Sequence, residues 1–169
     1  PVRLVYLDDP TRRRPNPRYS RDGDLVSFAD GYPLLLTAES SLAELNELIA
    51  AGPLAAEGPL PMRRFRPSVV VAGGEPWAED GWRLLSIGDV TFRAVKGCDR
   101  CVMTTIDPDT AAKGKEPIAT LARSRRWDGK TWFGVNLIPD SPRTAESWIR
   151  VGDPVRILEQ ADHSDGPLR

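Results

Sequence analysis

Short runs of β-branched, aliphatic and aromatic residues recur along the chain, and turn residues separate them. The 16 Pro and 14 Gly residues fall largely between these runs, a pattern typical of short strands joined by turns. Gly88 and Gly152 each precede an Asp between apolar residues, and both positions predict tight hairpins. The predicted strands span residues 2–7, 25–28, 33–37, 65–71, 82–87, 90–95, 102–106 and 131–138, with two more between 148 and 158. The chain is therefore expected to be mainly β.

Two segments have the apolar spacing of helices. Residues 41–51 carry four apolar residues on one helical face, with Ser41 as the predicted N-cap and Glu44 three residues later. A weaker pattern predicts a second helix over 117–125. Both helices are expected to lie as lids on a sheet. The predicted architecture is a single mainly β domain over residues 1–169, a closed or nearly closed barrel with a few peripheral helices.

Composition and charge narrow the class of protein. A chain of 169 residues with 40% hydrophobic side chains can bury one core. Its 23 Lys and Arg against 24 Asp and Glu give a net charge of −1, which disfavours nucleic acid and acidic membranes as partners. The longest apolar runs, such as residues 69–72, are far shorter than the roughly 20 residues that span a bilayer. With two cysteines and no secretory pattern, a reducing cytoplasm is the expected location.

The only histidine limits the chemistry that the chain can perform. His163 lies in a polar tail close to the C-terminus, where order is usually poor. A Ser-His-Asp triad, a His-rich zinc site and a Cys-His nucleophile all need a positioned imidazole. The sequence therefore disfavours these classes of enzyme.

Cys98 and Cys101 form a Cys-x-x-Cys pair, which has three ordinary interpretations: a redox dithiol, half of a metal site, or two packed thiols. A redox dithiol normally begins a helix, whereas residues 102–106 are predicted to be a strand. A structural zinc would need two further Cys or His ligands, and only His163 remains. Two interpretations stay open. The thiols are packed, or one thiolate, acidified by nearby Arg100, binds a soft metal whose other ligands arrive with a cofactor.

Three arginines in four positions precede an apolar strand. Composition alone favours a solvated basic surface for Arg63, Arg64 and Arg66. If the segment is a strand, Arg64 and Arg66 share one face and Phe65 takes the other, so the two guanidinium groups converge on a phosphate. The earlier arginines 12–14 lie among prolines and are interpreted as an exposed loop.

Five short motifs then occur in a characteristic order. They are Asp30-Gly-Tyr-Pro-Leu-Leu-Leu, Ser41-Leu-Ala-Glu-Leu-Asn, Phe65-Arg-Pro-Ser, Cys98-Asp-Arg-Cys-Val-Met-Thr-Thr-Ile-Asp-Pro-Asp-Thr and Val151-Gly-Asp-Pro-Val. In this order they resemble the MOSC domain, named for the C-terminal part of molybdenum-cofactor sulfurases, and come closest to its amidoxime-reducing branch. The resemblance covers nearly the whole chain.

The resemblance implies a β-barrel that binds a molybdenum–molybdopterin cofactor. It implies that Cys101 is the catalytic residue and the protein ligand to molybdenum, with Cys98 in a supporting or packing role. The cofactor contacts that it implies are Arg66, Ser68, Asp99, Arg100, Gly31 and Tyr32. Two positions depart from the family pattern, because Ser68 stands where Asn is common and Asp99 stands where Ser is common. Asp99 therefore places a carboxylate near an anionic cofactor.

The resemblance also implies a function and partners. Proteins of this branch extend upstream through a further subdomain, so the chain is expected to be the C-terminal part of a longer protein. The implied activity is the reduction of small N-hydroxylated compounds, with electrons from a ferredoxin-, flavoprotein- or cytochrome-type donor protein. An alternative is a carrier of the cofactor or of sulfur that turns over no substrate itself. A third possibility is a folded barrel that holds no cofactor.

Overall fold

The computed structural model describes residues 2–140, 147–162 and 166–169. Within these residues the chain forms a curled, half-barrel sheet with two α-helices on its surface, which confirms the mainly β prediction. The strands are β1 (Leu34–Ala38), β2 (Val69–Val71), β3 (Trp82–Ile87), β4 (Val90–Asp99), β5 (Arg126–Trp127), β6 (Lys130–Pro139) and β7 (Val155–Gln160). The helices are α1 (Glu39–Ala50) and α2 (Ile118–Ser124).

The two longest strands, β4 and β6, lie side by side in the middle of the sheet. The strand order is β2-β1-β6-β4-β3-β7, and β5 pairs with β6 outside this path. Leu36 of β1 and Gly97 of β4 both pair with Val135 of β6, so these three strands are in register. At Gly134 (φ 79°) a Cβ atom would stand 2.6 Å from the carbonyl oxygen of Leu36. The close approach of β6 to β1 therefore needs glycine at this position.

Buried apolar side chains form two groups. One lies on the sheet and includes Leu36, Leu85, Phe92, Val135 and Leu137. The other lies between the sheet and the helices and comprises Leu45, Ile49, Leu60, Phe65, Leu121 and Phe133. The rings of Phe65 and Phe133 stack with 4.0 Å between their centroids. This stack anchors the segment around Phe65 against the start of β6.

The strongest strand patterns are confirmed. The predicted strands at 33–37, 82–87, 90–95 and 131–138 correspond to β1, β3, β4 and β6. The turn at Gly88 is a tight hairpin, since Ile87 pairs directly with Val90 and Gly88 has a φ of 54°. These segments combine apolar alternation with a partner strand on at least one side.

Two predicted strands near the N-terminus are wrong. Residues 2–7 have no strand partner among the described residues, and the side chains of Val2 and Leu4 are fully exposed. Residues 25–28 are also irregular, although Val26 is buried and its N–H donates to the Arg13 carbonyl. An alternating pattern forms a strand only where a sheet edge accepts it, and neither segment meets one here.

Of two further predicted strands, 65–71 forms only in its last part and 102–106 is replaced by a tight 3-10 turn. Residues Met62–Phe65 form one such turn, Arg66 follows in the left-handed region, and only Val69–Val71 of the predicted strand is extended. Residues Val102–Thr105 form another. In that turn the hydroxyl of Thr104 donates to the carbonyl of Cys101, 3.0 Å away, and this local bond favours a turn over a strand.

The predicted pair of strands between 148 and 158 is half right. Strand β7 forms and pairs with β3. Residues 147–154 contain no strand, so the described part of this segment does not form the hairpin predicted at Gly152. Asp153 instead closes a local turn, in which its carboxylate accepts from the N–H of Arg150 at 2.7 Å.

Both helices are confirmed, with shifted starts. Helix α1 begins at Glu39, and Ser41 is buried inside it instead of capping it. The Ser41 hydroxyl accepts from the N–H of Trp77 and donates to Glu79, both at 2.8 Å. The Ser41 hydroxyl, which was predicted to cap the helix, therefore makes tertiary hydrogen bonds instead.

No helix in the described residues combines the length and the apolar character that crossing a bilayer requires. His163 lies outside the described residues.

Candidate functional site

The Cys-x-x-Cys segment lies where strand β4 leaves the sheet. The strand ends at Asp99, and the backbone of Arg100 is then held by Thr131 of β6. The Arg100 N–H donates to the Thr131 carbonyl at 2.7 Å, and the Thr131 hydroxyl donates to the Arg100 carbonyl at 3.2 Å. Cys101 follows at the start of the turn Val102–Thr105, with its thiol exposed. The sheet therefore presents Cys101 to the surface from a fixed backbone.

The side chain of Arg100 joins two motifs that are distant in sequence. Its Nη1 donates to the sulfur of Cys98 at 2.9 Å, and its Nη2 donates to the carbonyl oxygen of Phe65 at 2.7 Å. The guanidinium also lies over the Phe65 ring, 5.7 Å from its centroid. The Phe65-Arg66 segment and the Cys98–Cys101 segment are thus brought together, as the predicted site requires.

The two cysteines have different surroundings. Burial raises the pKa of the Cys98 thiol, and the nearby Arg100 only partly offsets this effect. Cys101 is exposed. The sequence placed Arg100 beside a thiol that binds metal, whereas the structure directs its guanidinium to Cys98. If Cys101 is the ligand, Arg100 acts on it through the position of the loop.

The three clustered arginines do not lie on a strand, so the predicted shared face of Arg64 and Arg66 is wrong. Arg63 makes a two-pronged ion pair with Asp109, and Arg64 pairs with Asp107 at 3.1 Å. Within the described residues the Arg66 guanidinium has no acidic partner, and the residue is exposed. Two of the three cations are therefore neutralised by the loop after Cys101, and Arg66 is left available for an anion.

The loop that holds these arginines is itself rigidly hydrogen bonded. Hydrogen bonds from the N–H groups of Thr110 and Asp109 lower the pKa of Asp107. Arg64 in addition donates to the carbonyl of Thr104 at 3.5 Å. The Asp-Pro-Asp-Thr motif thus connects the turn after Cys101 with the arginine segment.

Ser68 is hydrogen bonded to strand β1, and Gly31 and Tyr32 lie just before that strand. The Ser68 N–H donates to the Leu35 carbonyl at 2.8 Å, and its hydroxyl accepts from the Leu35 N–H at 3.2 Å. Tyr32 is partly buried, and burial together with the nearby Tyr19 and Asp99 raises its pKa to about 12. Tyr32 is therefore within electrostatic range of Asp99. Gly31 is exposed, and a Cβ there would meet nothing within 4 Å.

Asp99 is not an isolated carboxylate. Its Oδ1 pairs with Lys96 at 2.6 Å and its Oδ2 with Lys130 at 3.0 Å. Burial alone would raise the pKa of Asp99, but the hydrogen bonds from the two lysines lower it. Neither lysine was predicted from the sequence to belong to the site. Lys96 lies three residues before Asp99 in the same strand, a signal that was visible, whereas Lys130 is brought in by the pairing of β4 with β6.

The residues present fit an anionic cofactor that brings most of its own metal ligands. In the parts of the chain that the structure describes, no group of three or more His, Cys, Asp or Glu side chains could hold a metal ion. The site instead offers the exposed Cys101 and the guanidinium of Arg66, which has no acidic partner among the described residues. Beside them, the Nε atoms of Arg64 and Arg100 are buried without a hydrogen-bond partner. These donors suit a bound anion, and the single thiol suits a metal with one protein ligand.

The chain is similar to known proteins of one domain family. The family model for the MOSC domain matches residues 24–156. The chain is 38% identical to human mitochondrial amidoxime-reducing component 1 over 172 aligned residues, which cover 95% of this chain and 48% of that protein. Against the mouse protein of the same name the identity is 36%, covering 94% and 47%. Against molybdenum cofactor sulfurase of Arabidopsis thaliana it is 37%, covering 87% and 19%.

The chain thus spans about half the length of the amidoxime-reducing relatives that it matches. The matched region contains every residue of the site described above except Tyr19. On the extent of the family match, the chain belongs to the MOSC domain family.

Proposed function

We propose that this chain is the cofactor-binding module of a molybdenum-dependent reductase that acts on small N-hydroxylated compounds. The observation that carries the proposal is the exposed Cys101 on a backbone held by Thr131. Arg66, which has no acidic partner among the described residues, lies on the segment that Arg100 ties to the same loop. The names of the human and mouse relatives support the reaction class. Bound at this site, the molybdenum cofactor supplies two-electron redox chemistry.

The chain's own residues hold and orient the cofactor in this proposal. Cys101 is the protein ligand to molybdenum. Arg66 binds an anionic group of the cofactor with paired N–H donors. The Ser68 hydroxyl, which donates to no acceptor among the described residues, donates to the cofactor as well. Arg100 fixes the loop through Cys98 and Phe65, so that Cys101 and Arg66 keep their relative positions.

The remaining predicted residues lie at the edge of the site. Asp99 holds Lys96 and Lys130 in position, and the positive charges of the two lysines offset its negative charge. Tyr32 closes the region beside Asp99, with its hydroxyl kept protonated by its high pKa of about 12. Gly31 leaves open space on the approach to Tyr32.

Domain, partner and location are part of the same proposal. Residues 1–169 form one MOSC domain of a longer protein, and a ferredoxin-, flavoprotein- or cytochrome-type protein donates the electrons. The two free cysteines suit a reducing compartment, and we place the protein in the cytoplasm.

One observation favours a second candidate function, a carrier of sulfur for cofactor maturation. The chain is 37% identical to a relative named molybdenum cofactor sulfurase. An exposed thiol such as Cys101 can hold an extra sulfur atom as a persulfide. In that case the module binds or delivers the sulfurated cofactor and turns over no substrate.

The two functions are separated by assays on protein purified from a host that makes the cofactor, as this chain and within the full-length protein. Molybdenum content is measured first, and absence of metal from both would mean a folded domain that holds no cofactor. A reductase converts an amidoxime to the amidine when an artificial electron donor is supplied, and Cys101→Ala abolishes this activity. A carrier reduces nothing, but releases thiocyanate when cyanide removes the outer sulfur from Cys101.

A further inference from the structure

Lys96 and Lys130 share a single carboxylate. Their Nζ atoms lie 2.6 Å and 3.0 Å from the two oxygens of Asp99. The Lys96 side chain is 14% exposed and the Lys130 side chain is 53% exposed. Two ammonium groups against one carboxylate leave an excess of one positive charge. These two residues, called the lysine pair below, are therefore not neutralised by Asp99.

The ring of Trp132 supports both ammonium groups. Nζ of Lys96 lies 4.7 Å from the ring centroid and Nζ of Lys130 lies 5.9 Å from it, both within the range of a cation–π contact. Trp132 is buried, and its Nε1 donates to the carbonyl of Trp127 at 3.0 Å. The buried ring of Trp132 therefore fixes the position of the lysine pair.

The lysine pair also has hydrogen-bond donors to spare. Each ammonium group carries three N–H donors. Lys96 gives one to Asp99 and a long one, at 3.4 Å, to the carbonyl of Gly97. Lys130 gives one to Asp99 and none to any other acceptor among the described residues. Because the Lys130 side chain is 53% exposed, a ligand can reach the donors that remain on it.

This group lies next to the candidate site. Asp99 precedes Arg100, whose backbone is bonded to Thr131, the residue after Lys130. The same two strands that present Cys101 therefore also position the lysine pair. Arg66 lies on a separate segment of the chain. The lysine pair therefore adds positive charge to that of Arg66.

We propose that the lysine pair forms a phosphate-binding site beside Cys101, with Asp99 as the residue that positions the two ammonium groups. A phosphate monoester carries a charge of about −1.5 to −2 at pH 7 and three acceptor oxygens. It can therefore offset the excess charge and accept from both lysines, which a single carboxylate group does less well. The phosphate belongs to the bound cofactor or is free phosphate, and only the first source rests on the proposed function.

The test uses the 169-residue chain and inorganic phosphate as the probe. Phosphate is titrated at low ionic strength, and binding is followed by calorimetry and by backbone amide shifts at Asp99 and Lys130. Lys130→Met keeps the length of the side chain and removes its charge, and we expect it to weaken binding roughly tenfold, the size of a lost charged hydrogen bond. Lys130→Arg should restore binding. Lys113→Met, an exposed lysine on another loop, is the matched control.

Lys96→Met gives a second measurement and should weaken binding to a similar degree. Lys96 is more buried than Lys130, so circular dichroism is used to check that Lys96→Met folds. If it does not fold, the test rests on Lys130→Met. The proposal is overturned if the wild-type chain binds no phosphate, if neither lysine variant changes the affinity, or if Lys113→Met weakens binding as much.

Competition then identifies the source of the phosphate. If protein loaded with cofactor no longer binds inorganic phosphate at Lys130, the cofactor's own phosphate occupies the site. If loaded protein still binds it, and Lys130→Met removes that binding, the site takes free phosphate. The titration needs no molybdenum, so failure of the reductase proposal leaves the phosphate measurement readable.

Discussion

Arg100 donates a hydrogen bond to the thiol of Cys98, with 2.9 Å between Nη1 and Sγ, and not to the thiol that the family pattern assigns to the metal. Its other Nη group donates to the Phe65 carbonyl, directly before Arg66. One guanidinium therefore fixes the loop, while Cys101 stays exposed for a ligand. Because the two cysteines and the two arginines have different surroundings, mutations can test the role of each residue separately.

The first prediction concerns the cysteines. Cys101→Ala should remove bound molybdenum, because it deletes the only exposed thiol, and should leave the melting temperature nearly unchanged. Cys98→Ser should retain most of the metal, since a hydroxyl can still accept from Arg100. Metal analysis of the two purified variants checks this. Equal loss of molybdenum from both would refute the assignment of Cys101 as the single protein ligand.

The second prediction concerns the stability contributed by Arg100. Arg100→Met removes the donor to the Phe65 carbonyl and to Cys98, and it should lower the free energy of unfolding by roughly 2 kcal/mol. Arg66→Met, in the same region but without an acidic partner in the described structure, should change it by less than about 0.5 kcal/mol. Urea denaturation of both variants measures the difference. Similar losses would mean that Arg66 has a structural partner after all.

The third prediction separates binding from folding at Arg66. Arg66→Lys should weaken cofactor binding, because an ammonium group cannot reproduce the paired donors of a guanidinium. Arg66→Gly should also lose cofactor while keeping the fold, since the residue has a φ of 54° that glycine adopts without strain. Cofactor occupancy and thermal melting are measured side by side. Unchanged occupancy in Arg66→Lys would make Arg66 an ordinary solvated arginine.

The sequence pattern predicted those parts of the fold whose structure depends on residues close together along the chain. The hairpin at Gly88 follows from a short turn between apolar strands, and α1 follows from its apolar face. The turn Val102–Thr105 was predicted as a strand because its β-branched residues favour one. There the threonine hydroxyls bond to backbone carbonyls of the same turn, and these contacts override strand propensity.

For the candidate site too, the sequence indicated some features and not others. The motifs located Cys101, Arg66 and Arg100 in sequence, but not which acceptor each arginine would meet. That outcome depends on tertiary contacts, such as the pairing of Arg64 with Asp107 across more than 40 positions. Lys130 reaches Asp99 only because β4 and β6 are adjacent. Spacing along the chain does not contain this information.

A buried carboxylate lies far from Cys101 in sequence and provides a test of the fold that needs no cofactor. Glu79 is 1% exposed and accepts from the Ser41 hydroxyl, while its other oxygen has no hydrogen-bond partner in the part of the chain that the structure describes. Burial raises its pKa to about 7, with Asp80 adding to the effect and Arg125 opposing it. The folded protein therefore holds a proton on Glu79 at pH values where the unfolded chain has released it.

The fourth prediction follows from this difference in proton binding. The ordinary pKa of this carboxyl is 4.5, so its contribution to stability is fully present below pH 4.5 and is lost as the pH rises through about 7. Between pH 5 and pH 8, wild type should lose about 2 to 3 kcal/mol relative to Glu79→Gln, which keeps the acceptor for Ser41 and cannot ionise. Glu47→Gln, on the exposed side of α1, is the control and should follow wild type. If urea denaturation gives parallel pH curves for wild type and Glu79→Gln, Glu79 does not carry a raised pKa in the folded state.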